Sequence, residues 1–115
     1  MWIFTKYGFY SIVQDNNDKN LFKVRARKKE DLEELQKKVD GISLFKIHKD
    51  ERADYRFRIF ITSEKLVEIM VMFSTSIDYS NFKDSIYRNK AQKDKLDSYH
   101  QIWEVMYEYQ NINQS

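Results

Sequence analysis

Four arginines set at alternating positions are the residues of this chain best suited to hold another molecule. Lys23-Val24-Arg25-Ala26-Arg27 and Arg56-Phe57-Arg58-Ile59 each place a cation at every second residue. Alternate side chains of a strand point to opposite faces, so each segment predicts one apolar face and one cationic face. A guanidinium is a planar fork that matches carboxylate and phosphate oxygens two at a time. Two such strands in one sheet would make a basic platform for an acidic protein surface or a phosphate backbone. The ordinary alternative is a solvated sheet face whose arginines pair with acids on neighbouring strands.

Other residues stand beside these. Asp54 and Tyr55 precede the second arginine pair, and Asp54 could pair with a charge on a neighbouring strand. Asp78-Tyr79-Ser80-Asn81-Phe82-Lys83 either offers Asp78, Asn81 and Lys83 to a ligand or caps a helix, with Asp78 or Ser80 accepting its first N–H groups. Tyr99-His100 with Trp103 forms either a small polar-aromatic pocket or a structural histidine and its neighbours. The candidate macromolecule-binding set is therefore Lys23, Arg25, Arg27, Asp54, Tyr55, Arg56, Arg58, Asp78, Asn81, Lys83, His100 and Trp103.

Catalytic signatures are missing from this set. The two histidines, His48 and His100, lack cysteine or Glu-x-x-His partners at metal-ligand spacing. The two glycines, Gly8 and Gly41, are too far apart for a phosphate-cradling loop. No cofactor and no metal is expected.

These side chains need elements to position them. At 115 residues, 42% of them hydrophobic, the chain suits one domain with one core. Eight Tyr, eight Phe and two Trp supply large buried areas. With no cysteine, stability must come from packing rather than disulfides, as in a reducing cytoplasm. The N-terminus lacks the long apolar run of a signal peptide and Ile69–Phe73 is too short to span a membrane, so a cytoplasmic protein without membrane contact is expected. Net charge is only +2, but residues 1–60 carry 14 Lys/Arg against 10 Asp/Glu, and residues 61–115 carry 6 against 8. The basic character lies in the first half.

The periodicities predict strands over 2–14 (one long, or two meeting at Gly8), 21–27, 43–49 and 55–62, the last with Tyr55, Phe57, Ile59 and Ile61 on one face. Asp15–Asp18 and Asp50–Asp54 read as turns. Helices are predicted over 30–39, 64–73 with Ser63 as cap, 79–90 and 93–111, and the tail 113–115 is expected to fray. Leu96, Tyr99, Trp103 and Met106 recur at helical spacing, so the last helix is expected to complete the core. The order predicts an α+β fold: a four- or five-stranded antiparallel sheet with helices packed on one face, in a single domain over 1–115.

Several motifs also point to kin. Met1-Trp2-Ile3-Phe4-Thr5, Gly8-Phe9-Tyr10-Ser11, Val24-Arg25-Ala26-Arg27, Ala53-Asp54-Tyr55-Arg56-Phe57-Arg58, Ile77-Asp78-Tyr79-Ser80-Asn81-Phe82-Lys83 and Tyr99-His100-Gln101-Ile102-Trp103 run along nearly the whole chain. In these the chain resembles a family of small, uncharacterised bacterial single-domain proteins. The resemblance implies a single-domain pattern and no mechanism. The chain departs from that pattern in a shorter hairpin and a Lys/Asn/Ile-rich surface.

The expected function is a small non-enzymatic binding module, a protein-directed inhibitor or adaptor acting on a nucleic-acid-handling or defence complex. One alternative is RNA or single-stranded DNA binding through the basic face; another is an enzyme with a site around Asp54, Asp78 and His100. The expected partner is another protein, with nucleic acid as the alternative, and the chain is expected as a monomer or homodimer.

Overall fold

A computed structural model describes residues 1–112; the expected fraying of 113–115 lies outside the described residues. Strands β1 (Trp2–Thr5), β2 (Gly8–Gln14), β3 (Leu21–Ala26), β4 (His48–Lys49) and β5 (Phe57–Thr62) form one antiparallel sheet in the order β1-β2-β3-β5-β4. Helices α1 (Lys29–Lys38) and α2 (Ser63–Thr75) follow β3 and β5. Helices α3 (Phe82–Arg88) and α4 (Leu96–Ile112) come last. The fold class is α+β, and the chain divides into two compact units, Met1–Asp78 and a second beginning at Tyr79.

The first unit is built on period-two patterning. Tyr10 and Ile12 of β2, Val24 and Ala26 of β3, and Ile59 and Ile61 of β5 are buried on one sheet face with Leu32 and Leu35 of α1 and Ile69 and Phe73 of α2. Tyr10 stacks on Phe73 at 5.4 Å and its hydroxyl donates to the Asp31 carbonyl at 2.7 Å. The Asp31 carboxylate, buried in the first turn of α1, accepts the Phe9 N–H at 3.2 Å. A Cβ on Gly8 would lie 2.5 Å from the Asp31 carboxyl carbon, so this close approach of strand to helix requires glycine there.

The β1–β2 turn lacks the Asn-Gly chemistry of many hairpins. Thr5 replaces it: its Oγ1 accepts the N–H groups of Tyr7 at 3.1 Å and Gly8 at 3.2 Å. At the β2–β3 turn the Asp15 carboxylate accepts the Asn17 and Asp18 N–H groups. The cap of α2 falls on Thr62 rather than Ser63, with Thr62 Oγ1 accepting the Lys65 N–H.

Two expectations of the strand assignment are corrected. Only His48–Lys49 of the segment 43–49 is a strand. The Gln36 amide donates to the carbonyls of Ile42 and Phe45, so it takes acceptors that a ladder would use, and Leu44 is 96% exposed. Tyr55 does not share the face of Phe57, Ile59 and Ile61. Strand β5 begins at Phe57, and the Tyr55 ring lies against Phe9 and Arg25, on the opposite side of the sheet.

In the second unit Asn81, rather than Asp78 or Ser80, caps α3 by accepting the Asp84 N–H at 3.0 Å. Phe82 stacks on Tyr99 at 5.7 Å, and Ile86, Gln92 and Tyr99 are buried. The expectation that α4 completes a core is corrected. Tyr99 is its one buried residue among those described, while Ile102, Trp103, Val105, Met106, Tyr107, Tyr109 and Ile112 are exposed. The 3.6-residue pattern marks an amphipathic face but does not say that anything covers it. No helix among the described residues is long and apolar enough to cross a membrane.

Candidate binding site on the second sheet face

In an antiparallel sheet, residues paired across strands share a face. The register therefore draws a row across all five strands on the face away from α1 and α2: Trp2, Ser11, Arg25, Arg58 and His48. Phe4 and Phe9 lie on the same face, stacked at 4.3 Å. Lys23 lies opposite Phe60 there, and Phe60 meets the His48 ring edge-on at 5.3 Å.

Arg25 and Arg58 face one another across β3 and β5. Like charges directly opposite in a sheet repel, so something must hold them. Neutral groups do so. Arg25 donates to Ser11 Oγ at 2.7 Å, and Arg58 donates to the Tyr55 carbonyl at 2.9 Å. The Tyr55 ring, 3% exposed, lies under the guanidiniums of Arg25 at 4.7 Å and Arg27 at 4.3 Å. Each such cation–ring contact is worth about 0.5–2 kcal/mol, more when desolvated. Arg27 also donates to the Asp54 carbonyl at 2.9 Å, which ties the 50–55 turn back over the sheet.

None of the four arginines forms an ion pair with a carboxylate among the described residues. The Nε atoms of Arg25 and Arg58 are buried and donate to no protein group. Leaving a buried charged donor unmade costs about 1–3 kcal/mol or more. Lys23 has an acid at hand, Asp15 at 3.9 Å, and Glu51 lies near enough to Arg56 to feel its charge. The charge of Arg25 and Arg58 is held in place by neutral groups, with no carboxylate paired to it.

Beyond the end of the row, Arg27 and Arg56 reach a cleft of about 450 Å³ lined also by Lys28, Lys29, Glu30, Ile47, Lys49 and Phe57. Among its cations, Lys49 is engaged by Glu51 at 3.0 Å.

The remaining candidates lie elsewhere. Asp54 turns its carboxylate onto the Tyr55 N–H at 2.9 Å. Asp78 bonds Lys6 at 2.8 Å, which holds its carboxyl below the ordinary range and raises Lys6. Asn81 is the α3 cap. Lys83, His100 and Trp103 do come together, within the second unit. Lys83 Nζ lies 3.4 Å from His100 Nδ1 and 4.5 Å from the Trp103 ring centre, and the imidazole and indole stack at 5.9 Å. His100 Nε2 faces Glu104 at 3.4 Å. Asp54, Asp78 and His100 are thus each engaged by different groups. No cluster of three or more metal-ligating side chains occurs among the described residues.

Sequence reasoning does not place Trp2, Ser11 and His48 on the binding face, because their place in the row depends on register. It also passes over the cleft, where Lys28, Lys29 and Lys49 converge from separate elements. Tyr55, expected as part of the binding surface, supports that surface from beneath.

No family model matches the chain, and neither does a curated protein or a solved structure.

Proposed function

We propose that the protein is a cytoplasmic, non-enzymatic binding module that docks an acidic surface of another protein on the row Trp2–Ser11–Arg25–Arg58–His48. The observation that carries this reading is the facing pair Arg25 and Arg58, pinned by Ser11, the Tyr55 ring and the Tyr55 carbonyl with no carboxylate at either. An incoming carboxylate relieves their repulsion and finds the guanidiniums already ordered, which lowers the entropy cost of binding. Trp2, 71% exposed, extends the row with the residue type that most often anchors protein interfaces alongside arginine.

Protein is favoured over nucleic acid by the placement of the rings. Single-strand binders offer aromatic faces to bases. Here Tyr55 is buried under arginines and Phe4 and Phe9 are stacked on each other, which leaves the indole of Trp2, two strands away from Arg25, as the exposed ring at that end of the row. Net charge of +2 is also low for a backbone binder. Kinship with small bacterial single-domain proteins is part of the same proposal and adds no mechanism.

The test is affinity capture from host extract with the wild type and the Arg25→Glu/Arg58→Glu double variant, followed by direct titration of the captured protein. The expected result is an acidic partner bound by the wild type and lost by the folded variant. Retained binding by the variant would refute the site. Binding of a single-stranded oligonucleotide that falls steeply with salt would instead favour nucleic acid.

A further inference from the structure

The cleft beside the basic row is a second site with its own chemistry. Arg27, Lys28 and Lys29 come from the end of β3 and the start of α1, Arg56 from the approach to β5, and Lys49 from β4. Lys49 is already engaged by Glu51. Arg27, Lys28, Lys29 and Arg56 form no ion pair among the described residues, and Glu30 is the one acid lining the cleft. Four cations against one carboxylate leave three positive charges. A single carboxylate cannot match that, whereas a di- or triphosphate does. Ile47 and Phe57, both half-buried, supply the apolar part of the lining, where the Lys49 Nζ now lies over the Phe57 ring at 6.0 Å and would have to move aside for a planar ring. The volume of about 450 Å³ falls within the roughly 300–1,000 Å³ of small-ligand sites.

We infer that this cleft binds a nucleoside di- or triphosphate, its phosphates among Arg27, Lys28, Lys29 and Arg56 and its base against Phe57 and Ile47. The site goes beyond the protein-directed reading and stands or falls independently of it, because Lys28 and Lys29 lie outside the Trp2–His48 row. The charge reversal Lys28→Glu/Lys29→Glu is suited to the test. Both side chains are exposed, and acidic residues at the start of α1 favour its dipole, so the fold is retained.

Isothermal titration of the full chain with adenosine triphosphate, tripolyphosphate and adenosine decides the matter. Adenosine triphosphate is expected to bind at least tenfold more tightly than tripolyphosphate, and adenosine alone not to bind. Lys28→Glu/Lys29→Glu is expected to weaken the triphosphate at least tenfold, and Arg25→Glu/Arg58→Glu by less than threefold. Tripolyphosphate binding as well as the nucleotide overturns the assignment of the base. Nucleotide binding that is absent, or that ignores Lys28→Glu/Lys29→Glu, overturns the site. A single-stranded oligonucleotide that displaces adenosine triphosphate at lower concentration assigns the cleft to nucleic acid and overturns the free-nucleotide reading.

Discussion

Tyr55 organises the basic face from below. Its ring lies under Arg25 and Arg27, and its carbonyl accepts from Arg58. Tyr55→Leu keeps an apolar body in place but removes the cation–ring contacts. It is expected to leave a cooperative fold and to weaken the acidic partner several-fold, as read by titration beside the wild type. Gly8 is a second residue whose role is set by one neighbour. Gly8→Ala drives a methyl into the Asp31 carboxyl and is expected to lower stability by about 1–3 kcal/mol in urea unfolding, the cost of overpacking. Lys6 and Asp78 give a signature in pH. Asp78, held low by the Lys6 hydrogen bond, contributes fully above the ordinary carboxylate range, and this is lost as pH falls through its lowered value. Lys6, raised by the same bond, contributes fully below the ordinary lysine range, and this is lost as pH rises through its raised value. Asp78→Asn is therefore expected to lower the urea midpoint slightly between those limits, the pair being exposed. The gap should close at either extreme. Of these residue-level features, the arginine alternation could be read from spacing alone. Tyr55 could not, because its crossing to the other face depends on where the 50–55 turn delivers the chain.

At the scale of elements, period-two and period-3.6 patterns were enough to find β2, β3, β5, α1 and α2, whose buried residues alternate or recur as the sequence does. They failed where a side chain replaced a backbone ladder, as Gln36 does at 42–45. They failed also on α4, where an apolar stripe is real but exposed. That gives a clean measurement. A Trp buried in a core costs about 3–5 kcal/mol on truncation, whereas a surface substitution usually stays within about 0.5 kcal/mol. Trp103 is 50% exposed and stacked between His100 and Tyr107. Trp103→Ala is expected to cost no more than about 1 kcal/mol in denaturant unfolding monitored by circular dichroism. A core-sized loss would contradict the exposed placement of α4.

At the scale of the whole molecule, the hydrophobic core that joins sheet, α1 and α2 draws its buried residues from Tyr10 to Phe73. A chain ending at Asp78 is accordingly expected to keep a cooperative thermal transition and the strand signal of the sheet. A non-cooperative melt would show that this core depends on the residues from Tyr79 onward. The charge distribution acts at this scale too. With +2 overall, long-range attraction is weak, so the charge of the cationic row is felt only at close quarters. If the partner is an acidic protein surface, raising salt is therefore expected to change the association rate only modestly, in contrast to the steep dependence of a phosphate backbone.

The lengths of the outermost strands carry one more consequence. β1 has four residues, β4 has two, and β4 ends on a lysine at the sheet margin. Edges so short are poor templates for a neighbouring chain to extend, and at the β4 edge the lysine adds charge. In a protein with 16% aromatic residues, edge-to-edge pairing of sheets from neighbouring molecules is thereby disfavoured.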